Sequence, residues 1–285
     1  MPAGLIGVGL RPAHYPYLEP RLKDESSAIS SDWFEAISEN YMDTEGRPLE
    51  MLLKVRSRFD VALHGVSLSI GSTDELNYDY LSKLKRLAER LEPMIVSDHL
   101  CWTGAHGRNY HDLLPLPYTT EAVSHVTTRI EAVQEYLGRK IVLENVSAYV
   151  SFNESEMTEW EFLNEISRRS GAGILLDLNN VYVNSRNHGY DPYEFIDKID
   201  LAAVEQIHLA GFTDMGEFLF DTHSKPVYEP VWQLFARFAE KKPEVPILIE
   251  WDEDIPAFEV LAGEAEKARA IVRDSRRPRL VRSEP

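Results

Sequence analysis

Cysteine is almost missing from this chain: Cys101 stands alone among 285 residues. A single thiol makes no intramolecular disulfide, and no cysteine pair exists to grip a structural zinc. Positive charge is scarce as well. Lys and Arg number 30 against 47 Asp and Glu, a formal net charge of −17. That sign repels phosphate backbones, so no nucleic-acid partner is expected. No apolar run approaches the ~20 residues that cross a bilayer, which removes a membrane-spanning role. The opening Met1-Pro2-Ala3-Gly4-Leu5 has neither the basic start nor the long apolar stretch of a secretory signal. A reducing cytoplasm is the expected setting. What remains is an ordinary globular composition, 44% apolar and 27% charged, long enough for two common domains or one α/β barrel of ~250 residues.

Eight short apolar runs decide between those two. They are Gly4–Leu10, Asp32–Ser38, Val61–Ser67, Met94–Leu100, Lys140–Val146, Gly173–Asn179, Val204–Ala210 and Pro246–Asp252. Each is rich in Ile, Val and Leu and bounded by polar or turn residues, as parallel strands buried on both faces are. Helical patterns lie between them. Ala122, Val123, Val126, Ile130, Val133 and Leu137 recur at helical spacing, with Gly138 placed to stop the helix. Asp79–Leu91, Thr158–Ser170, Tyr193–Ile199 and Glu229–Glu240 read similarly. Strand and helix repeated eight times predicts one (β/α)8 TIM barrel over residues 1–274. An open doubly wound sheet would announce itself with a Gly-rich phosphate loop, which GVGLRPAHY only weakly imitates. Ser275–Pro285, with four arginines and two prolines, reads as a basic, solvated tail.

In such a barrel the active site lies at the C-terminal ends of the strands. The third run delivers His64, the fourth His99 beside Asp98, and the fifth Glu144 followed by Asn145. The sixth gives Asp177 with Asn179 and Asn180, the seventh His208 and the eighth Glu250. One buried His or carboxylate is a common satisfied core group. Six at corresponding positions converge on one spot, where their burial needs compensation by cations. FLFDTHSKP adds Asp221 and His223, two apart and so on one side of an extended segment. Asn179 stands in the same relation to Asp177. These nine groups exceed the four- to six-fold coordination of one ion, which implies two or three metals. Imidazole and carboxylate without thiolate suit iron, manganese or zinc alike.

The segments GVGLRPAHY, FEAISENYM, LHGVSLSIG, VSDHLCW, DLLPLPYT, LENVSAYV, LLDLNNVYVN, HLAG, DTHS and IEWD, in this order from about Gly4 to Ala270, resemble the UPF0276 (DUF692) family. Its members are multinuclear non-haem iron-dependent oxidases of the kind that includes methanobactin-biosynthesis oxidases. The resemblance implies a xylose-isomerase-like barrel holding two or three iron ions at its mouth. It implies dioxygen as co-substrate and cysteine residues of a ribosomally made precursor peptide as the target. Oxazolone–thioamide, thiooxazole and β-carbon excision products are the outcomes it suggests, often with a small partner protein presenting the peptide. One iron would take His64, His99 and a bridging Glu144. A second would take Glu144, Asp177, His208 and Glu250, the expected catalytic residues, and a third Asn179, Asp221 and His223.

Other residues carry weaker signals. Glu39, Asn40 and Tyr41 follow the second strand, where they line the pocket or orient a ligand. His14 is a substrate contact or a solvated loop histidine, and His188 a pocket or a surface group. The long connection through Cys101–Thr119 reads as a lid, with His106 and His111 at its surface. Cys101 reads as a small buried hydrophobe and His125 as a structural helix residue. Rival readings of the same ligands are a divalent-metal sugar isomerase or epimerase, a trinuclear zinc phosphodiesterase, and a metal-storing or peptide-binding module without turnover.

Overall fold

The computed structural model describes residues 4–24 and 26–276. Eight parallel strands close into a barrel in chain order: β1 (Ile6–Gly9), β2 (Trp33–Ile37), β3 (Asp60–Gly65), β4 (Ile95–His99), β7 (Val142–Glu144), β8 (Gly173–Asp177), β9 (Val204–Leu209) and β12 (Ile247–Ile249), which pairs back with β1. Two antiparallel hairpins stand apart from the barrel: β5 (Trp102–Ala105) with β6 (Arg108–Leu114), and β10 (Thr213–Asp214) with β11 (Leu219–Phe220). The barrel expected from the eight apolar runs is therefore present. Among the described residues no helix is long and apolar enough to cross a membrane.

The helices are α1 (Tyr15–Lys23), α2 (Glu39–Met42), α3 (Arg47–Arg56), α4 (Tyr78–Leu91), α5 (Thr120–Leu137), α6 (Glu159–Ser170), α7 (Leu178–His188), α8 (Pro192–Lys198), α9 (Glu229–Lys241) and α10 (Phe258–Ser275). Local chemistry sets several of their ends. Asn77, Thr119, Thr158, Asp177 and Asp191 accept backbone N–H groups as N-caps, and Thr158 with Glu161 forms a capping box. Gly138, Gly171 and Gly189 stop α5, α6 and α7 in the left-handed region. Ser275 closes α10 and Arg276 follows it, so the helix runs one residue into the expected tail. Residues 277–285 of that tail lie outside the described residues.

Every barrel strand is shorter than the apolar run that predicts it, and at the sixth the difference changes the structure. The sixth run ends at Asp177, and Leu178–His188 coils into α7. Its Asn, Val and Tyr residues favour extended or turn conformations, but the Asp177 cap and the Gly189 stop impose a helix. Asn179 is thus in a first helical turn, not two places along a strand from Asp177.

Two layers fill the barrel. Period-two alternation sends Trp33, Ala62, Ile95, Val142, Leu175 and Leu248 inward near the N-terminal end, where they form a buried apolar cluster. One further step along the strands, Glu35, His64, Glu144, Asp177, His208 and Glu250 occupy the inward positions, all buried. The larger core, including Phe162, Phe195, Phe235 and Phe258, lies between strands and helices. Gly7 leaves room for the Trp33 indole: a Cβ there would sit 2.4 Å from the ring.

Gly211 holds the segment that carries His223. A Cβ at this position would lie 2.3 Å from the Lys225 carbonyl oxygen and 2.4 Å from that of Pro226. Backbone cannot yield as a flexible side chain does. Gly211→Ala should therefore destabilise the fold by about 1–3 kcal/mol while disturbing the 221–226 segment. Denaturant melts of the two proteins measure the loss; an unchanged midpoint would refute the close-approach argument.

Candidate metal centre

The inward polar layer brings the strand-end residues into contact. Glu144 lies at its centre, with Oε2 3.2 Å from His64 Nε2 and 3.4 Å from His99 Nε2, and Oε1 3.7 Å from His208 Nδ1. His208 Nδ1 also stands 2.8 Å from Glu250 Oε2. His223 reaches two ways: Nε2 is 2.8 Å from Asp221 Oδ1 and 3.6 Å from Asp177 Oδ2, while Nδ1 is 3.2 Å from Glu250 Oε2 and 3.4 Å from Asp252 Oδ2. Three groupings have ligand atoms within 4.8 Å of one another: His64–His99–Glu144, Glu144–Asp177–His208–Glu250, and His223–Glu250–Asp252. The first two match the sets expected for two ions. In the third, Asp252 joins His223, a residue the strand-end reading passed over.

The outer nitrogen of three histidines is fixed by protein. His64 Nδ1 meets Ser97 Oγ at 2.8 Å, and His99 Nδ1 meets the Gly65 carbonyl at 3.0 Å. His208 Nε2 meets Glu35 Oε2 at 3.2 Å, and the Gln206 amide donates to that same oxygen at 2.5 Å. A carbonyl only accepts, so His99 donates from Nδ1 and turns a bare Nε2 lone pair toward Glu144. Imidazoles oriented this way are prepared to ligate. Asp177 is divided similarly: Oδ1 accepts from the Asn180 N–H as helix cap, and Oδ2 faces His223. Asn145 clamps the Asp177 backbone through both its amide atoms.

Four buried atoms here lack a hydrogen-bond partner, both Glu144 oxygens, Asp177 Oδ2 and Asn179 Oδ1, while His208 Nδ1, His223 Nε2 and Glu250 Oε2 have only one another or Asp221 in reach. Such groups are rare in native proteins and costly when left alone. Burial pushes the Glu144 carboxyl well above its ordinary range and Asp177 up to about 7. Burial takes His99 down to about 4 and His64 well below its usual value. Glu250 is held low by His208 and His223 against the opposing effect of burial. The layer thus requires positive charge at its centre, as protons or as cations, and its nitrogen and oxygen donors fit a cluster of divalent metal ions.

A cavity of about 380 Å³ opens over this layer, lined among others by His64, His99, Tyr149, Phe220, His223 and Glu250. Hairpins β5–β6 and β10–β11 flank it, contributing Asp112 and Leu113 from one side and Phe220 from the other. The expected lid is therefore a hairpin, with His106 and His111 exposed and Cys101 buried. His223 adopts a left-handed backbone, φ 45°, uncommon for a residue with a side chain and frequent where function constrains geometry. That conformation, not an extended stretch, brings it to Asp221. Asn179 donates to Asp221 Oδ1 at 2.8 Å and keeps Oδ1 unpaired.

The weaker substrate candidates lie elsewhere. His14 is buried, with Nε2 2.9 Å from the Pro256 carbonyl and its ring edge-on to Phe258. Tyr41 is buried against the Tyr15 hydroxyl, and Asn40 is exposed on α2. His188 binds the Ala148 carbonyl beside a second cavity, lined also by Glu159, Trp160 and Tyr190. None of these four lines the cavity over the metal layer. His125 is structural, with Nε2 2.9 Å from the Ser72 carbonyl. Glu35 and Arg11 escaped the sequence reading. Glu35 is a lone acid inside the apolar WFEAI strand, two residues beyond inward-facing Trp33. Arg11 is a buried cation 2.5 Å from Asp252 and 4.0 Å from Glu250.

A family model described as "RiPP precursor modification enzyme MbnB/TglH/ChrH" matches residues 5–273. RiPP denotes a ribosomally synthesised and post-translationally modified peptide. A UPF0276 protein of Anaeromyxobacter sp. (strain Fw109-5) is 52% identical over 268 residues, covering 93% of this chain and 92% of that one. Among solved structures, endonuclease IV from Thermus thermophilus is similar with a TM-score of 0.61 at 16% identity, over 95% of this chain and 99% of its own. An L-ribulose 3-epimerase is similar with a TM-score of 0.61 at 14% identity, over 99% and 100%. At such identity these two speak for the xylose-isomerase-like barrel alone.

Two measurements follow from this geometry. Glu35→Gln removes the carboxylate behind His208, so metal affinity should fall about 10- to 100-fold with the fold retained. Competition against a chromogenic chelator reads the change, and unaltered affinity would mean that Glu35 does not support His208. Among the described residues Glu159 accepts from Asn184 at 3.3 Å, and its partial burial beside the second cavity pushes its carboxyl up from 4.5 to about 8. Between those values the folded chain keeps a proton that the unfolded chain releases, so stability falls as pH rises. Urea melts at pH 5 and pH 8 should show a smaller loss for Glu159→Gln than for the wild type.

Proposed function

The chain belongs to the MbnB/TglH/ChrH family of RiPP precursor modification enzymes, and on that premise we propose that it is a multinuclear non-haem iron oxidase. It consumes dioxygen to modify cysteine residues of a ribosomally made precursor peptide. The observation that carries this reading is the central Glu144 carboxylate, buried with both oxygens unpaired between two ligand groups. A carboxylate so placed suits the bridge between two metal ions, one beside His64 and His99 and one beside Asp177, His208 and Glu250. Asn179, Asp221 and His223 would hold a third ion, with Asp252 as a further donor.

Iron, when bound, supplies a change of valence and open coordination positions that zinc or magnesium would not combine. The protein supplies the rest. Ser97, Gly65 and Glu35 hold the imidazoles so that their free nitrogens face one centre. The barrel's apolar lower layer closes the site from below, and the cavity admits a side chain from above. Tyr149 and Phe220 give that cavity aromatic surface on which an apolar peptide side chain can pack. A small partner protein that presents the peptide, and a cytoplasmic setting, belong to the same proposal.

The test is metal analysis of protein prepared under argon, together with Mössbauer spectra. We expect two or three irons per chain, magnetically coupled, and dioxygen uptake that depends on a cysteine-containing precursor peptide. In Glu144→Ala, coupling and uptake should vanish together. Zinc or manganese in place of iron, with no activity restored by ferrous salt, would sink the oxidase reading in favour of isomerase or hydrolase chemistry.

A further inference from the structure

Three large aromatic rings lie on the rim of the cavity and are not buried by the fold. Tyr149 is 44% exposed, Phe218 43% and Phe220 42%, with Met215 beside them at 55%. They form one patch: ring centroids are 5.2 Å apart for Tyr149–Phe220, 6.1 Å for Tyr149–Phe218 and 6.3 Å for Phe218–Phe220. Scattered exposed aromatics need no explanation. A contiguous cluster at the mouth of a cavity marks a binding surface. Two of its members, Tyr149 and Phe220, also line the cavity, so patch and cavity are continuous.

The patch is preformed. Asn187 grips Leu219 on both backbone atoms, donating to its carbonyl and accepting from its N–H, each at 2.9 Å. The side-chain amide thus stands in for a neighbouring strand and fixes β11. The Tyr149 hydroxyl accepts from the Asp221 N–H at 2.9 Å, which ties the rim to a residue of the metal layer. Acids predominate around the patch, although Asp252 is paired with Arg11 at 2.5 Å and Arg108 is exposed on β6. Asp112, Asp252 and Glu253 line the cavity, and Asp214 and Glu217 are exposed in the β10–β11 hairpin. An apolar platform ringed by acids fits an apolar side chain flanked by basic ones.

We propose that this rim is the specificity surface for the substrate peptide: it seats an aromatic or large aliphatic side chain next to the residue entering the cavity, with Lys or Arg nearby against the acidic ring. The inference rests on the peptide-modifying reading above and names what that peptide carries. On the other side of the cavity, β6 contributes Asp112 and Leu113 to the lining.

The experiment is calorimetric titration of the iron-loaded full chain under argon with the peptide acetyl-Gly-Lys-Phe-Cys-Lys-Gly-amide. Two control peptides replace Phe by Ser, or both Lys by Glu. Wild-type protein should bind the parent at least tenfold more tightly than either control, and added salt should weaken the parent. In the Phe218→Ser, Phe220→Ser double variant the preference for Phe over Ser should disappear while the preference for Lys remains. Thermal melts verify the fold, and the single Phe218→Ser variant repeats the comparison if the double variant melts early. Equal affinity for all three peptides, or an unchanged Phe preference in the variants, overturns the proposal. So does sedimentation showing that the patch joins two copies of the chain without binding peptide. Because no dioxygen is present, the readout is independent of turnover: the rim can fail while the iron chemistry stands, and the reverse.

Discussion

Everything at the barrel mouth is organised around the burial of the Glu144 carboxylate. It is 1% exposed and neither oxygen has a hydrogen bond. An ionised carboxylate in that state is too costly to persist without a positive neighbour. Its closest groups are three imidazoles, His64, His99 and His208. The carboxylates next in reach, Glu250 and Asp177, intensify the demand. The fold thus encloses a negative centre whose stability depends on what fills it. Ions that bind the folded chain and not the unfolded one stabilise it by mass action, so cluster binding and folding stability draw on the same interaction.

The barrel explains how sequence-distant groups satisfy that geometry. Eight parallel strands, staggered around the barrel, all point their C-terminal ends to the same mouth, so inward groups from different strands meet there. His64 pairs opposite Ser97, Glu144 opposite His99, and Asp177 opposite His208 in neighbouring strands. The lower inward layer is apolar and packed, so the polar layer rests on a rigid floor. Glu35, Ser97 and Gln206 then complete a ring of supports whose role is orientation. Arg11 is different: a buried cation beside Glu250 and Asp252, it moderates the negative charge at the rim of the layer where metal donors thin out.

The barrel and most of its mouth were legible in the sequence, for one physical reason. A strand buried on both faces must be apolar, so a His or carboxylate within it is conspicuous. His64, His99, Glu144, Asp177, His208 and Glu250 all stood out on that contrast. Glu35 obeys the same rule, a lone acid in the apolar second strand. Three things were not legible. Helix α7 hides in β-prone residues whose conformation is set by the cap at Asp177 and the stop at Gly189. The left-handed backbone at His223 leaves no mark in residue type. His14, Tyr41 and His188 are polar groups satisfied by local partners, Pro256, Tyr15 and Ala148. Sequence cannot separate such groups from site residues, because the separation lies in which way the side chain points.

The architecture separates two tasks that a peptide-modifying enzyme must combine. The ligand layer sits on strand ends locked by packing below and by hydrogen bonds behind, where a small displacement would spoil convergence. The rim sits on hairpins β5–β6 and β10–β11, which share no ladder hydrogen bonds with the barrel. Their exposed residues are free to change without moving the ligands. Hydrogen bonds tie the hairpins to the frame: Ser69 and Ser72 to β5, Asp74 to the β5–β6 turn, Asn187 to Leu219, and the Tyr149 hydroxyl to the Asp221 N–H. Selection among peptides can therefore act on the hairpins while the chemistry below them stays constant. It follows that relatives with the same ligand layer can differ in which peptide they accept, and the differences would concentrate in these two hairpins and the loop of Tyr149.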